Sequence, residues 1–253
     1  MIALICLSGR QLWKMSERYV QEAKVKNSML KYRQSAVKTI KETTYISEDS
    51  ENSEEIIEVA EPIINQFIIN LQNEVNPDIA GWLTIPDTKI DYPFVTAADN
   101  NYYLRRDVFG NYAMAGSLFM DYRCSKDLSG FNSIIYGHNM KNGSMFGELN
   151  MFDDESFFEE NKSGTIFLKN HTYKLEIFAY MVIKSDDGYI YNYHQSITHE
   201  ERDKFYEYVK KNARNYREPG DEARKGNIIT LSTCISTSES NHVRIVLLAN
   251  IIL

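Results

Sequence analysis

Between Arg10 and about Thr39 the chain contains neither Gly nor Pro, and Leu12, Met15, Tyr19, Ala23, Met29, Tyr32 and Ala36 recur on three- and four-residue steps among charged residues. That spacing predicts an amphipathic helix. Ile56, Ala60, Ile63, Phe67 and Leu71 repeat the stripe, with Pro62 marking a kink or a late start, and Asn76-Pro77-Asp78 ends the segment. Two helices therefore precede the rest of the chain. From Gly81 the texture changes to short runs of β-branched and aromatic residues separated by Gly, Asn, Asp and Ser clusters. Strands are expected over 82–85, 90–95, 117–121, 133–137, 165–169, 173–183, 227–233 and 243–252. Eight short strands of this kind predict a mainly β fold, a closed or nearly closed barrel. One helix interrupts them: Thr198 and Glu201 have the spacing of a capping box, and Phe205, Tyr208, Val209 and Asn212 carry the turn spacing on to about Tyr216.

Composition narrows the class. The chain has 253 residues, 43% of them hydrophobic and 12% aromatic, with 28 Lys and Arg against 35 Asp and Glu for a net charge of −7. Disordered, collagenous and disulfide-scaffold proteins are excluded, and an acidic balance argues against a general nucleic-acid binder. The charge is uneven. Residues 1–41 carry nine basic and two acidic side chains, whereas 42–61 carry eight acids and no base, as expected of a solvated linker, assigned to 42–55. The opening MIALICL has seven apolar residues, too few for a bilayer span of about 20. It reads either as a short apolar terminus or as the end of a membrane anchor missing from this chain.

Chemistry concentrates in two places. Thr230-Leu231-Ser232-Thr233-Cys234 puts a cysteine at the exit of a core strand, open to the cleft expected at the barrel mouth. Ten residues on stands Arg244, and His242 shares its strand face by period-2 alternation. The second place is Ser133-Ile134-Ile135-Tyr136-Gly137-His138-Asn139-Met140, a hydrophobic strand that ends at Gly-His, with Gly137 permitting a sharp exit. A thiolate, an imidazole and a guanidinium suit acyl transfer: nucleophile, acid to a leaving amine, and oxyanion partner. Spacing leaves His138 and His242 both open as partners of Cys234. The three cysteines, Cys6, Cys124 and Cys234, and the five histidines show no metal-ligand spacing, so no metal or cofactor is expected.

These segments resemble the sortases, membrane-anchored cysteine transpeptidases of Gram-positive bacteria, and specifically class B. Thr230 to Cys234 is similar to the TLxTC signature of that family, with Arg244 at the usual distance. His138 in Tyr-Gly-His-Asn-Met is similar to the family histidine. Gly81-Trp82-Leu83, Asp99 to Leu104, Gly116 to Asp121 and Met145 to Leu149 add to the likeness, which spans about Asn76 to Leu253. The resemblance implies an eight-stranded β-barrel over 76–253, preceded by two N-terminal helices over 10–75, with a helix inserted between strands six and seven; residues 1–9 are the apolar stub read above. It implies Cys234 as nucleophile, His138 as general acid and Arg244 as oxyanion or substrate-positioning cation, leaving His242 a neighbour of the site. It implies a substrate groove lined by Asn100, Leu104, Ser185, Tyr189, Ile190 and Ser232. The partners would be the C-terminal sorting-signal peptide of a surface protein, cleaved after its Thr, and a peptidoglycan-precursor or wall amine. The enzyme would act at the extracellular face of the cell membrane, anchored N-terminally. Read without the resemblance, the same residues also suit a cysteine peptidase using water, or a non-catalytic surface barrel.

Overall fold

The computed structural model describes residues 16–33, 64–192, 197–234 and 243–252, with Cys234 described by its backbone alone. In chain order the elements are helix α1 (16–33), α2 (Gln66–Glu74), strands β1 (Ile79–Thr84), β2 (Asp91–Val95), β3 (Leu118–Met120) and β4 (Asn132–Tyr136), helix α3 (Glu155–Glu160), β5 (Ser163–Leu168) and β6 (Thr172–Lys184). Helices α4 (Gly188–Tyr191) and α5 (His199–Asn212), the two-residue strand β7 (Asn215–Tyr216), helix α6 (Asp221–Lys225), β8 (Ile228–Cys234) and β9 (Val243–Ile252) complete them. The eight longer strands close into a barrel in the order β5-β1-β2-β3-β4-β8-β9-β6, with β6 returning to β5. Most neighbours are antiparallel; β2–β3 and β4–β8 are parallel.

Three cores follow from strand alternation. Inward residues such as Leu83, Phe94, Ile135, Ile177, Leu231 and Leu247 fill the barrel. A 3-10 segment, Gly147–Asp153, and α3 contribute Leu149, Phe152 and Phe158 to the same cluster. Outward residues of β4, β6, β8 and β9, including Ile134, Met181, Ile228 and Val246, pack against Phe205, Tyr206 and Val209 of α5. On another flank Trp82, Val95 and Phe119 lie under Met29 of α1 and Phe67, Ile68 and Leu71 of α2. Because several strands are covered on both faces, they read as continuous apolar runs rather than alternating ones. In β6 a bulge between Ile177 and Ala179 leaves Phe178 and Ala179 both in the outer cluster, after which Tyr180 turns inward again.

The helices depart from the sequence pattern in instructive ways. Ala23 faces solvent, and the inward face of α1 runs through Glu22, Val25 and Met29. Glu22 accepts a 3.0 Å hydrogen bond from the Tyr92 hydroxyl, and Lys26 donates to the Lys89 carbonyl at 2.6 Å while lying 4.1 Å above the Tyr92 ring. Satisfied polar heads allow these residues to sit where an apolar stripe was expected. Residues 10–15, 34–63 and Pro62 lie outside the described residues. Helix α5 begins with the expected capping box of Thr198 and Glu201 but stops at Asn212, because Asn215–Tyr216 pairs with β6. Tyr206 rather than Tyr208 is its fully buried tyrosine. Among the described residues no helix is long and apolar enough to cross a membrane, and no group of three or more His, Cys, Asp or Glu side chains could hold a metal ion.

Candidate active site

Two parallel strands bring the chemical residues together. Tyr136 of β4 is in register with Ser232 of β8, and the pairing continues one step beyond the strand, where the Gly137 amide donates to the Ser232 carbonyl at 3.1 Å. His138 follows at once. On the other side of β8, antiparallel pairing puts Cys234 directly opposite Arg244. His138, Cys234 and Arg244 therefore stand at the ends of three adjacent strands, with adjacent strands about 4.8 Å apart. His242 and His194 lie outside the described residues.

The barrel interior is filled with side chains, and the site lies where these strands end. It is a groove of about 330 Å³ on the outer surface, lined by Asn100, Leu104, His138, Ser185, Ser232 and Arg244. Tyr189 and Ile190, expected in this lining, are not part of it. The segment after β6 forms α4, capped by Asp187, which turns Ile190 into the outer core and leaves Tyr189 exposed and stacked on Tyr208 at 4.3 Å. The next residue, Tyr191, lines the groove instead, with its hydroxyl 2.9 Å from the Ser232 hydroxyl. Sequence reasoning also missed Phe119, Arg123, Tyr136 and Thr233 in the lining. Parity offered a signal for Tyr136, which shares the outward face of β4 with Ile134.

His138 is held by its neighbours. Its Nε2 lies 2.9 Å from the Leu104 carbonyl oxygen, and since a carbonyl can only accept, Nε2 carries the proton. Desolvation pushes the imidazole pKa below its ordinary value of 6.5, the Leu104 hydrogen bond works against that shift, and the nearby Arg105 charge adds to it. Gly137 is needed here for closeness rather than for an unusual turn. A Cβ would stand 2.5 Å from Leu118 Cδ2 and 2.8 Å from Phe146 Cδ2.

Beneath the groove Asp121 is completely buried. Burial alone would raise its pKa, but hydrogen bonds from Arg123 and from the Tyr136 hydroxyl hold it at about 2. It also accepts from Asn100 Nδ2 at 3.1 Å, while Asn100 Oδ1 accepts the Tyr122 amide at 3.0 Å. Cys124, by contrast, has its thiol pKa pushed up to about 11 by burial, an unreactive setting.

A cysteine, a histidine and an arginine on adjoining strand ends beside an open groove define an acyl-transfer type of site on a closed β-barrel. Comparison with known proteins agrees: the sortase domain family matches residues 83–252, and the chain belongs to that family of cysteine transpeptidases. Within it the chain is of class B. It is 37% identical over 176 residues to sortase B of Listeria monocytogenes, covering 69% of this chain and 70% of that protein. The Staphylococcus aureus sortase B–substrate complex superposes with a TM-score of 0.68 at 28% identity, covering 75% of this chain and 86% of that one. A Streptococcus pyogenes class B sortase involved in pilus biogenesis gives 0.63 at 32% identity, over 72% and 96%.

Proposed function

We propose that this sortase cleaves a C-terminal sorting signal after its Thr and transfers the protein to a cell-wall amine. The Cys234 thiolate attacks the Thr carbonyl carbon, forming a C–S bond. The C–N bond then breaks, and the leaving amine takes a proton from the His138 imidazolium. In the second half-reaction the wall amine attacks the thioester, the C–S bond breaks and the thiolate is restored, with the amine's proton returning to His138. Arg244 stays protonated throughout, so its part is electrostatic, on the oxyanion or the peptide carbonyls.

The observation that carries this reading is the strand register: Cys234 opposite Arg244, beside the β4 exit that leads to His138. A sortase B solved with its substrate supports a sorting peptide as the ligand of the groove. Because desolvation keeps the His138 imidazolium scarce at neutral pH, molecules holding thiolate and imidazolium together are a minority and turnover is slow. The work is done on the outer face of the cell membrane, by an enzyme tethered at its N-terminal side.

The test is mass spectrometry of the protein with a panel of sorting peptides, with and without an amine acceptor. A thioester adduct on Cys234 that the amine converts to ligated peptide is expected, and Cys234→Ala should lose both while remaining folded. An adduct resolved only by water would make the protein a peptidase. Cleavage retained in Cys234→Ala would sink the assignment.

A further inference from the structure

Asp121 and Arg123 form a device in the groove for which the proposed chemistry has no use. Asp121 sits at the end of β3 with no exposed surface, yet it is ionised. Its Oδ1 accepts Arg123 Nε at 2.8 Å and the Arg123 amide at 3.0 Å. Its Oδ2 accepts Arg123 Nη2 at 2.8 Å, the Tyr136 hydroxyl at 2.9 Å and Asn100 Nδ2 at 3.1 Å. Five donors saturate the carboxylate, so it has no capacity left for a ligand. What it does instead is fix three groove-lining residues, Asn100, Arg123 and Tyr136, drawn from three separate segments.

Of the three, Arg123 alone brings a charge to the groove. The two-toothed grip on Nε and Nη2 fixes the guanidinium plane. The side chain remains 30% exposed, and Nη1 has no partner among the described residues. The described lining contains no Asp or Glu, while both Arg123 and Arg244 belong to it. A pre-oriented N–H donor in a lining whose described residues carry no carboxylate suits an acceptor oxygen over an ammonium group. The aliphatic and aromatic lining, from Leu104, Phe119 and Tyr191, supplies contact area but no such discrimination.

We propose that Arg123 is a substrate-binding residue of this groove, that Asp121 is the positioning residue holding it, and that its free N–H groups select a peptide residue bearing an acceptor oxygen over one bearing an ammonium. The inference rests on the groove being the sorting-peptide site. It is tested with a peptide panel carrying Gln, Glu or Lys at each position outside the scissile bond, read as kcat and KM separately. The wild-type protein should favour Gln and Glu over Lys at one position. Arg123→Ala should lower kcat/KM by about tenfold or more, carried by KM, and flatten the preference at that position alone. Arg123→Lys, which keeps the charge but not the planar fork, should restore only part of it. Asp121→Asn should flatten the same position although Arg123 is intact, an effect that a general loss of stability would spread over all positions. Binding of the same peptides to Cys234→Ala, which requires no chemistry, separates the two readings. Selective binding without turnover would fail the transpeptidase reading and leave Arg123 standing. An Arg123→Ala protein with unchanged KM, or with unchanged affinities in the Cys234→Ala background and the same rank order at every position, would overturn the proposal.

Discussion

Replacing Gly137 with alanine should damage both stability and activity, and the structure gives the size of each effect. The added Cβ would lie 2.5 Å from Leu118 Cδ2 and 2.8 and 2.9 Å from Phe146 Cδ2 and Cγ. Carbon atoms prefer about 3.5–4.0 Å, so roughly 1 Å must be found. Leu118 and Phe146 are both fully buried in the barrel core, where close packing offers little room. Over-packing of this kind costs about 1–3 kcal/mol, while the reduced freedom of an unfolded Ala chain returns about 0.4–1 kcal/mol. A net loss of about 1–2 kcal/mol lowers Tm by about 2–8 °C in a domain of this size. The second effect is positional. If the backbone moves instead of the side chains, the Gly137 amide leaves the Ser232 carbonyl and His138 moves with it. If His138 is the acid proposed above, a displacement of about 1 Å costs on the order of 100-fold in rate. Thermal unfolding gives the first number, and peptide cleavage at 25 °C, where both proteins are folded, gives the second. Gly220→Ala, whose Cβ would meet nothing within 4 Å, is the control. A Gly137→Ala protein with undiminished Tm and undiminished cleavage would refute the packing argument.

Two further outcomes follow from the same contacts. An NMR titration of His138 should give a midpoint below 6.5, and Arg105→Gln should raise it by removing a like charge. Because the folded pKa is depressed, this group costs stability as pH falls from the unfolded value through the folded one and has no effect above 6.5; a downward shift in Arg105→Gln would contradict the assignment. At the seat of α1, Asp91 Oδ1 accepts Trp82 Nε1–H at 2.7 Å and the Thr84 hydroxyl at 2.9 Å and pairs with Arg33. Asp91→Ala strands a buried indole N–H at about 1–3 kcal/mol, whereas Asp91→Asn keeps an acceptor and should cost less by thermal unfolding; equal losses would show that the acceptor is unimportant.

Much of this architecture was legible in the residues. Eight strand segments stood out because β-branched and aromatic runs were separated by turn formers, and Thr198 with Glu201 announced the start of α5. The bulge at Phe178 was hidden, because β6 is apolar on both faces and a slip in alternation leaves no mark in such a run. The inward Glu22 and Lys26 were hidden for the opposite reason: their partners, Tyr92 and the Lys89 carbonyl, are about 65 residues away in sequence. Likewise Asp121 and Arg123 looked like any acid and base two residues apart. Only the return of β4 brings Tyr136 alongside them. Tyr189 and Ile190 gave way to Tyr191 because a single helical turn decides which of three neighbouring residues faces the groove.

The arrangement of β8 between β4 and β9 also bears on when the site comes into being. His138 and Cys234 are joined through a parallel pair whose members are nearly a hundred residues apart, and Arg244 arrives only with β9, which pairs with both β6 and β8. During synthesis, then, every chain shorter than β9 lacks one wall of the site and leaves two strand edges bare. Cys234 meets Arg244 only when β9 pairs with β8 and closes the barrel. A chain that ends before β9 therefore carries Cys234 with no arginine opposite it.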